Sequence, residues 1–259
     1  MTDYAKKLTR LSSAYASSEA DVIAAFFQKP RKPKDHLLWL KAQGFKEYSA
    51  IKPILEALTA LYPKIDSGIA RHDYAELTEK LADETKHARL VMDLLQEISG
   101  KTITPRDLIW LPEDRKLAKV RAKYSKSYAT LLHGAGKVSS REIKRKDEDL
   151  ERAAITLTEG GGGALYLVCS KLKKTGIEGK IARVFREVLL DEFEHNDSGA
   201  RALGGQIKNG ADCKRAAGII AAVCGQRLRM RNEQFGFPLN KIQLVELDRR
   251  AQAALYGGK

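Results

Sequence analysis

Tyr74 to Gly100 reads YAELTEKLADETKHARLVMDLLQEISG, and one residue in it departs from the pattern set by the rest. Tyr74, Leu77, Leu81, Glu84, Ala88, Val91, Leu95 and Ile98 recur at three and four residues, the period of one helix face. Gly100 follows as a C-cap. Glu84 stands where that face requires an apolar side chain. An ionised carboxylate costs several kcal/mol to bury unless it is paired or holds a metal ion, so the inward acid calls for a cation.

The same interruption recurs along the chain. Leu40, Gly44, Glu47, Ile51, Ile54, Leu58, Leu61 and Ile65 trace an earlier helix face, closed by the turn signal Pro63 to Gly68. Ile181, Phe185, Val188, Glu192, His195 and Gly199 trace a later one within a helix expected from about Lys180 to Ile207. Glu159 lies between Ile155 and Gly162 on a helix expected from about Ser140 to Lys174. Glu84 and Glu192 are each followed three residues later by histidine, His87 and His195, and positions i and i+3 share a helix face. With 18 glutamates and 5 histidines in the chain, chance supplies about a third of one such pair.

Height along the helices agrees with convergence. Glu159 precedes Lys174, and Glu192 follows Gly176, by nearly equal numbers of residues, about 23 Å of helix in each case. Glu47 and Glu84 stand in the same relation to the turn at 63–68. Glu56 is the alternative to Glu47: it matches Glu84 if the turn lies nearer Arg71 to Asp73, where Asp73 and Glu76 can form a capping box. Pro53 marks a possible kink between the two candidates.

Glu47, Glu84-x-x-His87, Glu159 and Glu192-x-x-His195 together resemble the ferritin-like superfamily of di-iron and di-manganese carboxylate proteins. The resemblance spans about 160 residues from the first of these helices to the fourth. It implies an all-α fold, an antiparallel four-helix bundle with additional N- and C-terminal helices. It also implies a dinuclear centre in which Glu84 and Glu192 bridge two iron ions, His87 and His195 each cap one, and Glu47 and Glu159 are terminal ligands. Oxygen and nitrogen donors in this ratio suit iron or manganese better than zinc. Asp83, Asp191 and Asn196, adjacent to the motif residues, are candidates to brace them or ordinary surface residues.

The run Gly160, Gly161, Gly162 and Gly163 after Glu159 costs about 4 kcal/mol relative to alanine if helical. Space for substrate or O2 beside the metals, with Tyr166 two turns beyond Glu159, accounts for it; close helix packing is the competing reason. A phosphate-cradling loop after a strand fits less well, since no neighbouring parallel strands accompany it. Tyr48 and Tyr166 are expected to be core tyrosines. His36, His72 and His133 match no metal spacing and are expected at the surface or in turns.

Residues 3–28 read as a helical lead-in, Leu117 to Leu132 as a helix within a basic connection, and Ala211 to Gln234 and Leu239 to Tyr256 as two further helices. No composition break divides residues 1–259, so one helical domain is expected, with a metal-binding core at about 36–207 and flanking helices at 1–30 and 211–257. The three cysteines include no CxxC pair, which excludes a disulfide scaffold and fits a reducing compartment. The N-terminus has no signal-peptide core, and no apolar stretch is long enough to span a membrane. The cytoplasm is the expected location.

A net charge of +13 attracts anions. The expectation is therefore an O2-activating non-haem di-iron oxidase or oxygenase acting on an anionic small molecule or a substrate delivered on an acidic carrier, with an electron donor and a second copy of the chain, in a homodimer, as candidate partners. A ferroxidase or iron-storage protein is the alternative, as is a basic helical nucleic-acid-binding protein without redox chemistry.

Overall fold

The computed structural model describes residues 2–124, 148–159, 162–173, 175–195 and 203–257. Every regular element among the described residues is helical. In chain order these are α1 (Asp3–Phe27), α2 (Pro33–Asp66), α3 (Arg71–Ser99), a 3-10 turn (Pro105–Asp107) and α4 (Pro112–Ala122). After them come α5 (Glu148–Glu159), α6 (Gly162–Ser170), α7 (Gly176–His195), α8 (Gly210–Gln234), α9 (Lys241–Ala253) and a closing 3-10 turn (Ala254–Tyr256). No described helix is long and apolar enough to cross a membrane.

Two large hydrophobic cores organise these helices, and a small third one joins Val22 of α1, Leu228 of α8 and Leu247 of α9. In the first, Trp39 and Leu40 of α2 meet Val91 and Leu95 of α3, Leu165 of α6 and Phe185 of α7. The C-terminal end of α1 closes it through Ile23 and Phe26. In the second, Leu8, Leu11 and Tyr15 of α1 pack with Leu150 and Ala154 of α5 and with Ile220 and Val223 of α8. The amphipathic face of α1 thus serves both cores. The helical lead-in read at residues 3–28 is α1, Asp3–Phe27, and its apolar side chains enter both cores.

The helices that carry the candidate site are two hairpins set against each other. α2 and α3 form one, α6 and α7 the other, and α3 packs on α7. The last two run antiparallel: Glu97 near the C-terminus of α3 pairs with Lys180 (2.9 Å) and Arg183 (3.7 Å) near the start of α7, whereas His87 meets Asp191 near its end. The turns of the two hairpins therefore lie at opposite ends. α2 is tightly covered at Gly44, where a Cβ would stand 2.9 Å from Leu108 Cδ2 and 3.4 Å from Val91 Cγ1 of α3. The apolar period demanded a side chain there, but the chain that follows α3 folds back over this spot and takes its place.

Several boundaries differ from the sequence reading. α2 passes through Pro53 and Pro63 to Asp66, so the hairpin turn falls at 67–70 rather than 63–68. Pro63 removes the bond to the Thr59 carbonyl, but both residues are exposed, so that acceptor is not buried without a partner. The turn is made by Gly68 and Ala70, both at positive φ (81° and 60°), and Gly100 ends α3 at φ 66°, its N–H bonding the Gln96 carbonyl. The helix expected from Ser140 to Lys174 is described as α5 and α6, the latter ending at Ser170; residues 140–147, 160 and 161 lie outside the described residues. α7 begins at Gly176 rather than Lys180, and 196–202 also lie outside. α4 starts at Pro112, where proline at N1 and the acids Glu113 and Asp114 favour initiation. It ends at Ala122; residues 125–132 of the expected helix lie outside the described residues.

Candidate metal centre

α2 and α3 bring Glu47, Glu84 and His87 together. One carboxylate oxygen from each acid and one ring nitrogen of the histidine all lie within 4.8 Å of one another. Glu47 is 4% exposed and His87 2% exposed, while Glu84 is half-buried. Carboxylate and imidazole donors at this spacing in a buried setting fit a divalent cation with bonds of about 2.0–2.2 Å.

The histidine carries the most specific mark of that fit. Its Nε2 lies 2.9 Å from Asp191 Oδ2 of α7. A carboxylate can only accept, so Nε2 carries a proton toward Asp191 and Nδ1 is the nitrogen left to face the cluster. Nδ1 is buried and has no hydrogen-bond partner among the described residues. An imidazole whose N–H is held by a carboxylate and whose other nitrogen is open is the arrangement that metal-bound histidines adopt. Asp191 also takes two hydrogen bonds from Lys86 Nζ, at 2.8 and 3.0 Å. Burial alone raises the Asp191 carboxyl, but the bonds and charges of Lys86 and His87 outweigh it and hold the group below its ordinary value. Asp191 is thus fixed as an anion behind the ring.

Glu47 is held as firmly. Its Oε1 accepts from Gln43 Nε2 (2.6 Å), one turn earlier on α2, and from the Tyr166 hydroxyl of α6 (3.0 Å). With that oxygen occupied, Oε2 is the one presented for ligation. The chain of donors continues: Gln43 Oε1 accepts from Gln234 Nε2 (3.1 Å), which also reaches the Trp39 carbonyl (3.2 Å). Gln234 Oε1 in turn accepts from Arg231 (2.6 Å) and Lys46 (3.0 Å). Arg231 and Arg227 converge on buried Glu19.

The electrostatics point the same way. Burial pushes the Tyr166 hydroxyl well above its ordinary range, reinforced by the charges of Glu47, Glu192 and Glu84 and by the bond to Glu47. It remains a protonated donor surrounded by three carboxylates, and Glu192 of α7 belongs to the same electrostatic neighbourhood. Lys46, beside Met230 and Gln234, is pushed down to about 7, chiefly by burial.

Of the six predicted ligands, Glu47, Glu84 and His87 are gathered at the cluster, while Glu192 on α7 is half-buried and is not part of that group. Glu159 ends α5 and His195 ends α7, but their side chains lie outside the described residues. Glu56, the alternative to Glu47, is exposed on α2 and 3.9 Å from Lys52, away from the cluster. Gly160 and Gly161 fall outside the described residues; Gly162 opens α6, and a Cβ on Gly163 would meet no atom within 4 Å.

Tyr48 is 44% exposed rather than in the core, because it follows Glu47 onto the outer face of α2. His36 is likewise not a surface residue: it is 1% exposed and its Nδ1 accepts from Trp39 Nε1 at 3.3 Å. His72 is exposed, and His133 lies outside the described residues. Gln43 was missed although its i−4 relation to Glu47 was legible; Gln234, distant in sequence, offered no such signal. Comparison with protein-family models, curated proteins and solved structures found no match.

Proposed function

We propose that the chain houses a carboxylate-bridged dinuclear metal centre, preferably di-iron, in a ferritin-like bundle built from α2, α3, α5 with α6, and α7, and uses it in O2-dependent oxidation of an anionic organic substrate. The observation that carries this reading is the buried Glu47, Glu84 and His87 cluster in which His87 presents an open Nδ1 and Asp191 holds Nε2. The two Glu-x-x-His helices α3 and α7 pack antiparallel, α3 beside α2 with Glu47 and α7 beside α6, the helix that follows Glu159, and this supports the bundle. Glu159, Glu192 and His195 complete the donor set by the repeat of the motif.

Bound iron supplies the capacity to give electrons to O2. The chain's own residues do the rest. Glu47 Oε2, Glu84 and His87 Nδ1 bind and orient the ions. Gln43 and Tyr166 keep Glu47 from rotating, and the Tyr166 hydroxyl holds a proton within hydrogen-bond reach of a ligand oxygen. Asp191 and Lys86 fix the plane of the imidazole. The positive charge of the chain draws in an anionic substrate.

Elemental analysis of the protein as isolated, beside a Glu84→Ala/Glu192→Ala variant, tests this. The expected result is about two iron or manganese ions per chain, lost in the variant. Native protein that binds neither metal, or a variant that retains them, refutes the proposal.

A further inference from the structure

We propose that the end of the molecule where α1 turns into α2 and α6 into α7 is the docking surface for an acidic one-electron carrier protein, whose electron travels inward along Trp39, Phe185 and Tyr166. The inference rests on the dinuclear reading above.

A file of aromatic side chains joins this end to the candidate centre. The Tyr166 hydroxyl bonds Glu47, and its ring lies 6.0 Å from Phe185, nearly parallel at 25°. Phe185 lies 5.6 Å from Trp39. Trp39 donates to His36 and stands 6.3 Å from Phe27, which stacks on His36 at 6.0 Å and is half-buried at the surface. From Glu47 back to His36 is about 17 Å of α2. The rings sit in contact across that span, with no water-filled gap needed between them.

The surface where the file emerges is basic. The linker Lys29-Pro30-Arg31-Lys32-Pro33-Lys34 sets four cations in six residues, with Lys29, Lys32 and Lys34 exposed. The Arg31 guanidinium lies 3.9 Å above the Phe26 ring. Ile177 in the first turn of α7 packs against the core that holds these rings, and the neighbouring Glu178 acts on His36, so α7 presents its own cations here. Lys180, Arg183 and Arg186, with Gly176 and Gly179, line an open depression of about 390 Å³. Asp35, Glu178 and Glu97 only partly offset these cations. A surface of one sign steers a partner of the opposite sign. The aromatics turn inward rather than forming an exposed platform for bases, and they lead to the centre, which favours an electron carrier over nucleic acid.

In each encounter the carrier's reduced iron–sulfur cluster or flavin loses one electron and one ferric ion of the centre becomes ferrous. No bond forms or breaks along the file. Two encounters return both ions to the ferrous state.

The test is stopped-flow reduction of the oxidised iron-loaded protein by an acidic plant-type [2Fe–2S] ferredoxin at low ionic strength. In a Lys29→Glu/Lys32→Glu/Lys34→Glu variant the second-order rate constant is expected to fall by about 10- to 100-fold, with iron content equal to wild type. Trp39→Phe is expected to bind ferredoxin normally but pass its electron more slowly. Reduction of the triple variant at the wild-type rate overturns the docking surface, and an unchanged rate in Trp39→Phe overturns the file. A triple variant that loses binding to a duplex oligonucleotide while ferredoxin still reduces it assigns the patch to nucleic acid and overturns the proposal as well. Calorimetric titration of ferredoxin into metal-free wild type and triple variant tests the surface even if the protein holds no iron, which separates its failure from that of the dinuclear centre.

Discussion

Replacing Glu47 with glutamine separates metal binding from ordinary packing. The amide is isosteric, and both hydrogen bonds to Glu47 arrive at one oxygen, from Gln43 at 2.6 Å and Tyr166 at 3.0 Å, so a glutamine carbonyl can accept both. The fold should persist, and loss of a buried charge should leave the metal-free protein as stable as wild type or slightly more so. Metal changes the sign. A ligand at 100 times its dissociation constant stabilises the native state by ~2.7 kcal/mol, and a chain of 259 residues unfolds with an entropy of about 0.5 kcal/mol per kelvin. Wild type should therefore melt about 5 °C higher for each manganese(II) ion bound at that excess, and Glu47→Gln should show less than half of that rise. Thermal melts followed by circular dichroism, with chelator and then with manganese(II), provide the comparison. An equal rise in both proteins, or none in wild type at millimolar metal, would refute the assignment of Glu47 as a ligand.

Asp191→Asn leaves the His87 N–H without a carboxylate and should weaken metal binding by about 10- to 100-fold, measured by competition with a chelating dye; unchanged affinity would show that Asp191 does not support a ligand. Lys46, at about 7 in the folded protein against 10.5 when unfolded, binds fewer protons folded than unfolded across that window, so its destabilising effect is full below about 7 and fades as pH rises. Lys46→Met should accordingly melt a few degrees above wild type near pH 6 and converge with it near pH 10. Glu19→Gln leaves Arg227 and Arg231 buried without their shared anion and should cost ~3–5 kcal/mol in urea denaturation.

The part of this architecture written in local spacing was readable before any coordinates. Glu84 and His87 sit three residues apart on one helix, and Gly100 ends it, because each follows from helical period and capping alone. Glu47 was preferred over Glu56 by height above the turn, and it is Glu47 that lies beside Glu84 and His87, although the turn comes a few residues later because α2 runs on through Pro63. What escaped notice depends on tertiary neighbours. Gln234 reaches Gln43 from a helix far along the chain, and nothing in either amide announces it. His36 looked like a turn residue beside two prolines, yet Pro33 starts α2 rather than interrupting it, and Trp39 gives the ring a partner. α1 was read as a helix, but its place in the core was not legible, because the stripe Leu8, Leu11, Tyr15, Val22 and Phe26 does not say which distant helices it meets.

Arg227, the clamp on Glu19, also donates to the Thr158 carbonyl, one residue before Glu159 at the end of α5. A helix beyond the bundle thereby holds the terminus from which a proposed ligand departs. A miniature metalloprotein cut to residues 36–207 would keep every nominated donor and lose both Glu19 and Arg227, leaving that terminus untethered. Engineering a minimal version of this scaffold therefore has to begin from the whole helical assembly and replace the anchor before trimming it.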